Sequence, residues 1–219
     1  MRTDTSGSGI GVDGEGIGAS DVPSTCRSVL DPFAVPVLAL SGAGAVAAAR
    51  LLALSALDAH GDAALVIIPR PDIAGLFGVS DDEQLDESAA NLFIPGNLDA
   101  ALAYLETELA IRRNTVSPQA RRLLLVADCG EEADRIGEIL ARHPNGATMI
   151  LLGAWTGERA TVGDDGLVDA PAALMELVPR LLLPSISQAD ARDRLHAALD
   201  RHGKAVNRPV KRRSGNRRS

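Results

Sequence analysis

Aromatic residues are almost missing from this chain: one Trp, one Tyr and three Phe among 219 residues, 2% of the total. Hydrophobic residues still make up 46%, so the core has to be built from Ala, Leu, Val and Ile. The length suits one substantial core, and one domain with tails is the expectation. Cysteine is equally scarce. Cys26 and Cys129 have no motif spacing, one in a polar leader and the other behind an apolar run, which argues against a structural disulfide. No apolar segment of signal-peptide type occurs in Met1–Leu30. Nor is there an uninterrupted hydrophobic run of membrane-spanning length. Phe33–Leu57 comes nearest, but Ser41, Gly42, Gly44 and Arg50 interrupt it, and its halves read as a strand followed by a helix. A cytoplasmic protein without membrane association is therefore expected.

Charge of one sign is missing from the C-terminus. Eight of the 22 Lys and Arg fall between Arg201 and Ser219, where there is no acid; the first 200 residues keep 14 bases against all 29 acids, a net of −15. An acidic body with a cationic arm is the main electrostatic feature. Such arms bind phosphate backbones by counterion release, and they also bind acidic protein surfaces, this protein's own body included. The contact residues expected there are Lys204, Arg208, Lys211, Arg212, Arg213, Arg217 and Arg218.

Along the chain the composition suggests three parts. Residues 1–30 form a flexible Gly/Ser-rich leader, in which Asp13-Gly14 could turn a short hairpin. Residues 31–203 form an α/β domain, and 204–219 a disordered basic tail. Within the domain, strands are expected at Val35–Leu40, Ala64–Ile68, Asn91–Ile94, Arg122–Ala127 and Thr148–Leu152. Several are continuous apolar runs, as strands buried on both faces should be. Helices are expected at Ala45–Ala59, Leu98–Arg113, Glu131–Arg142 and Gln188–Arg201, the last capped by Ser187. Arg159–Val162, Gly163–Gly166 and Leu167–Val168 read as an edge hairpin. Strands alternating with crossover helices imply a mainly parallel sheet flanked by helices.

The segment Val35–Leu54 has the layout of a phosphate-cradling loop: buried strand, glycine turn at Gly42 and Gly44, apolar helix. Its chemistry is absent. Ala45 and Val46 stand where a lysine and a Ser/Thr hydroxyl are needed for the β/γ-phosphates and Mg²⁺. Leu38–Leu57 resembles the P-loop segment of FtsK-type DNA-translocase ATPases, with a loop about three residues short. Ala64–Phe77 is similar to that family's next strand and its continuation. Asn97–Arg113 resembles its long helix, Leu123–Asp128 its Walker B strand, and Thr148–Gly153 the strand after it. The resemblance spans about Val35 to Gly153, in order and spacing more than in motif residues.

What it implies is a degenerate P-loop NTPase-like fold with Gly42 and Gly44 as a vestigial phosphate loop and Asp128 as a vestigial metal position. Cys129 stands where the catalytic glutamate would follow. Similar degenerate domains occur in large actinobacterial regulators that carry LysM and bacterial-transcriptional-activator modules; the present chain would correspond to their central part. No bound cofactor, no metal and no catalysis are expected. The chain is read as a regulatory or scaffolding interaction domain with a protein partner, linked to transcriptional regulation. Two alternatives stand beside it: a nucleotide hydrolase with an unconventional site using Arg50 and Asp128, and a nucleic-acid-binding protein acting through its tail.

Asp128 is expected to cap the helix that begins near Glu131. The four histidines share no ligand spacing, and His60 and His143 suit helix C-termini. Trp155, alone after a strand, reads as a lid on the core rather than a base-stacking platform. The acidic run Asp81–Glu87 reads as a solvated loop.

Overall fold

The structure is a computed structural model, and it describes residues 30–80, 83, 85, 90–114, 120–172 and 182–206. The elements in chain order are β1 (Val37–Ser41), α1 (Ala45–His60), a 3-10 turn (Gly61–Ala63), β2 (Ala64–Ile67), α2 (Arg70–Phe77), β3 (Leu92–Phe93), α3 (Leu98–Asn114), β4 (Arg122–Asp128), α4 (Ala133–Arg142), β5 (Thr148–Leu152), β6 (Arg159–Val162), β7 (Val168–Asp169) and α5 (Gln188–Val206). The strands form a seven-stranded sheet in the order β3-β2-β4-β5-β1-β6-β7. Every pairing is parallel except β6 with β7. The fold is α/β, a mostly parallel sheet flanked by helices, as the sequence leads one to expect.

Period-two alternation explains why the central strands are continuously apolar. Leu38 and Leu40 of β1, Leu124 and Val126 of β4, and Ile150 of β5 enter one core cluster with α1, α2 and α5. Their neighbours Ala39, Leu123, Leu125, Met149 and Leu151 enter a second cluster with α3 and α4 on the other face. Both faces of each strand are thus buried, and each residue is held to its side by the pleat. The connections β1–β2 and β2–β3 run one way across the sheet through α1 and α2. The connections β3–β4 and β4–β5 run back through α3 and α4 on the opposite face, which is how a doubly wound sheet keeps its crossovers of one hand.

Small side chains compensate for the missing aromatics. On α1, Ala48, Ala49, Ala53 and Ala56 are at most 2% exposed beside Leu52 and Leu54. A helix with so many methyl-sized contacts lies close to the sheet and leaves room for α5 on its outer side, where Ala191, Leu195, Ala198 and Leu199 complete the same core. The Ser187 cap is present: its hydroxyl accepts from the Asp190 amide at 3.0 Å and donates to the Asp190 carboxylate at 2.6 Å. The helix runs on to Val206, taking in Lys204, because Gly203 alone does not stop it and the first proline is Pro209. Helix α2 is not among the expected helices; Pro69 and Pro71 mask its start, yet proline suits a first helical turn, where its missing N–H is no loss. Glu83, from the acidic run read as solvated, pairs with Arg192 at 2.5 Å and His196 at 3.0 Å on α5. The Asp13-Gly14 hairpin lies outside the described residues.

Arg50 belongs to this scaffold. Its Nε donates to the Leu76 carbonyl in the last turn of α2, and its Nη1 reaches the Ile186 carbonyl at 3.5 Å. One guanidinium therefore satisfies a helix-end carbonyl that has no partner within its own helix and ties α1, α2 and the approach to α5 together. Burial holds its pKa below the ordinary arginine value. Arg50→Ala should lower stability by about 1–3 kcal/mol in urea denaturation, because the Leu76 carbonyl is left partly buried and unpaired. Arg50→Lys should recover only part of the loss.

Candidate functional site at the C-terminal edge of the sheet

In a parallel sheet all strands end on one edge, and that edge is where open α/β folds place their ligands. Here it gathers the Gly42–Gly44 turn after β1, Asp72 in the first turn of α2, Asp128 at the end of β4, Gly153 to Trp155 after β5, and Gly163 after β6. The sequence-expected positions Gly42, Gly44 and Asp128 are on this edge together. Asp72 joins them unannounced; the available signal was an acid in the first turn of a helix starting directly behind a strand.

The glycine turn faces its own chain. The Gly44 amide donates to the Val162 carbonyl at 2.9 Å, and the Ala45 amide to Gly42 at 3.2 Å. Gly42 has φ +91°, and a Cβ there would stand 2.5 Å from the Val162 oxygen. Gly44 has an ordinary φ of −87°, but a Cβ on it would overlap the Gly163 carbonyl oxygen and crowd the Val162 side chain. Two glycines are needed for two reasons, conformation at Gly42 and close backbone approach at Gly44. The approaching group is the end of β6. An amide that a phosphate cradle would aim at an anion is already donated to a carbonyl, and the Gly163 oxygen sits against the turn. With Ala45 and Val46 in place of lysine and hydroxyl, these residues do not fit a nucleotide triphosphate and its Mg²⁺.

Asp128 does not cap α4. Its Oδ1 accepts from the Gly130 amide at 3.0 Å, and a turn at Gly130, φ +47°, with the Glu132 amide bonded to the Cys129 carbonyl, separates it from a helix that begins only at Ala133. The reach of an aspartate side chain is two or three residues, so the intervening turn removes it from the helix end. Its carboxylate packs against Gly153, where any side chain would collide with Oδ1. Asp72 Oδ1 accepts from the Asp128 backbone amide at 3.2 Å. Burial raises the Asp72 pKa to about 6, the Asp128 charge adds to the rise, and the amide hydrogen bond opposes it. The pair supplies two carboxylates; among the described residues no group of three or more His, Cys, Asp or Glu comes together as a metal site. Cys129 is fully buried, and burial, then the charge of Asp128, pushes its thiol pKa up, the reverse of what a nucleophile requires.

The remaining expected sites fall elsewhere. Lys204 lies within α5, remote from this edge in the chain path, and Arg208, Lys211, Arg212, Arg213, Arg217 and Arg218 lie outside the described residues. His60 ends α1, 3.3 Å from Asp31 and edge-on to Phe33, and His143 follows α4. Trp155 is half-buried and packs against the core of the α3/α4 face. Among the described residues no helix is long and apolar enough to cross a membrane.

No protein-family model matches this sequence, and no curated protein matches it. Among solved structures, the chain is similar to the pCW3 conjugation coupling protein TcpA, in its monomer form with ATPγS, at 14% identity and a TM-score of 0.46. The match covers 81% of this chain and 66% of that one, so the chain spans just under two thirds of that protein's length.

Gly44→Val should lower stability by more than ~1 kcal/mol, since the β-branched side chain has to displace the end of β6; chemical denaturation checks it. For Asp72, the folded pKa of about 6 lies above the ordinary value of 3.8. The folded state therefore holds that proton more tightly than the unfolded chain, and the resulting stability is full below pH 4 and lost as pH rises from about 4 to about 6. Asp72→Asn should remove this part of the pH dependence, so melting temperatures of variant and parent should diverge in the variant's favour between pH 4.5 and 7.5.

Proposed function

We propose that this chain is a non-catalytic interaction domain on a P-loop-like α/β frame, with a regulatory or scaffolding role. Transcriptional regulation is the setting suggested by the sequence resemblance. The observation that carries the reading is the Gly44 amide donated to Val162, with Gly163 seated on the turn. A loop that cradles phosphate leaves such amides free and puts a cation beside them; this one closes over its own strand and has alanine at the cationic position.

The unconventional-hydrolase alternative draws less support. Arg50 is engaged with the carbonyls of Leu76 and Ile186, turned to the face where α1 meets α2. Asp128 has its Oδ1 committed to the Gly130 amide, and Cys129 and Ala45 stand where the glutamate and the lysine would be needed. Opening the loop for a nucleotide would require breaking the Gly44–Val162 hydrogen bond and separating β6 from its place beside β1.

Calorimetric titration of the full chain with Mg-ATP and Mg-GTP should give no binding tighter than ~1 mM, that is, less than about 4 kcal/mol of standard binding free energy. Phosphate release should stay at the buffer rate. Tight binding accompanied by hydrolysis would overturn the proposal.

A further inference from the structure

On the face of the sheet opposite α1, α2 and α5, a groove of about 600 Å³ runs between α4 and the segment after β5. Gly137 and Ala141 line its helix side, Trp155 and Gly157 the other, and the carboxylates of Asp134 and Glu138 stand along it. Gly137 and Ala141 are one helical turn apart, so they leave an open strip on α4 where a larger side chain can lie. Trp155 is the chain's one tryptophan, and its half-buried indole is packed on Gly157 and the core. Asp134 makes no ion pair among the described residues, and Glu138 shares its charge with Arg142 at 3.0 Å. An aromatic face flanked by carboxylates over a floor of small residues recognises a planar cation: the ring attracts the guanidinium while the carboxylates hydrogen-bond its edge.

The chain itself supplies that chemistry. Residues 207–219 carry six Lys and Arg and no acid, while the first 200 residues have a net charge of −15. We propose that the groove is a docking site for the cationic C-terminal segment, Arg208 to Arg218, of a second copy of this chain. A second copy is favoured over the same chain by where α5 ends. Arg201 pairs with Asp58 near the end of α1, at the edge where the parallel strands begin and on the α1 face. The groove lies on the α4 face, at the edge where they end. Thirteen residues span at most ~45 Å when fully extended, and much of that length would be spent rounding the sheet. Donor and acceptor surfaces differ, so the contact is head-to-tail and extends to rings or chains of copies. This site is separate from the glycine turn, and nucleotide binding there would leave it standing; failure of one reading is distinguishable from failure of the other.

Two full-length variants test it, each checked for folding by circular dichroism. The acceptor carries Lys211→Gln, Arg212→Gln and Arg213→Gln and keeps its groove. The donor carries Trp155→Phe and Asp134→Asn and keeps its C-terminal segment, so all tryptophan emission comes from the acceptor. Each alone should sediment as a monomer, and adding donor should shift the acceptor's emission saturably and form a 1:1 pair. Raising salt from 50 to 500 mM should weaken the pair roughly tenfold or more, as exposed charges are screened. The shift should vanish when the acceptor also carries Asp134→Asn and Glu138→Gln. A flat titration overturns the proposal, as does a shift that survives those groove substitutions. So does a concentration-independent emission difference between the natural chain and the acceptor, which would place the segment on its own body. A donor that retards a DNA duplex while leaving the acceptor's emission unchanged would assign the segment to nucleic acid instead.

Discussion

The hydrogen bond from the Gly44 amide to the Val162 carbonyl sets the character of the molecule's working edge. It is one bond of ordinary length, but it joins the turn that opens α1 to the end of β6. The register of β6 on β1, Ser41 against Thr161, brings that carbonyl within reach, and the absence of side chains at Gly42 and Gly44 lets the backbones meet. A larger residue at either glycine would push β6 outward and free the Gly44 amide. The closed loop and the seven-stranded sheet are therefore one constraint: the strand beside β1 occupies the ground that an anion would need. Since Gly163 and Gly166 continue the turn into β7, the edge hairpin is held by the same contact.

An aromatic-poor core is the second consequence of composition, and it acts through α1. Filling a core to normal density with Ala, Leu, Val and Ile demands short distances between layers, because there are no large rings to bridge a gap. Buried alanines on α1 permit that approach, and leucines between them reach to α5 and α2. The cost of close layers is that helix ends also become buried, where their carbonyls need partners. Arg50 meets that requirement at the end of α2, and Gln188 does likewise, donating to the Gly75 carbonyl at 2.9 Å. Polar residues that sequence reading would assign to a site are here spent on holding the helices together.

The architecture was legible because buried parallel strands leave an unmistakable trace, apolar runs of four to seven residues separated by helical periodicity. β5 appears at its expected bounds, and α1 and α3 run one residue further than expected. α2 was not legible, since Pro69 before it and Pro71 within its first turn dominate its pattern while the features that stabilise it, a first turn that tolerates proline and packing of Ile73, Leu76 and Phe77, depend on the fold. At the candidate site the glycine turn could be read from spacing, but its closure could not: Val162 and Gly163 are some 120 residues away and reach it only through sheet pairing. Asp128 was misread as a helix cap because the turn at Gly130 is invisible in composition, and the Asp72–Asp128 pairing joins residues 56 apart in the chain.

Electrostatics divides the same molecule differently from packing. Arg135 is held by Asp99 at 2.5 Å and Glu106 at 3.0 Å, with Glu132 at 3.8 Å, so that one cation draws on three carboxylates across α3 and α4. Arg142 shares Glu106 and Glu138 in turn. Acids outnumber bases across this face, and since exposed pairs in water contribute little individually, the network does more to set the sign of the local potential than to stabilise the fold. That sign is the complement of the C-terminal segment. Six Lys and Arg and no acid follow α5, against a net of −15 on the first 200 residues, a distribution suited to contacts between oppositely charged surfaces.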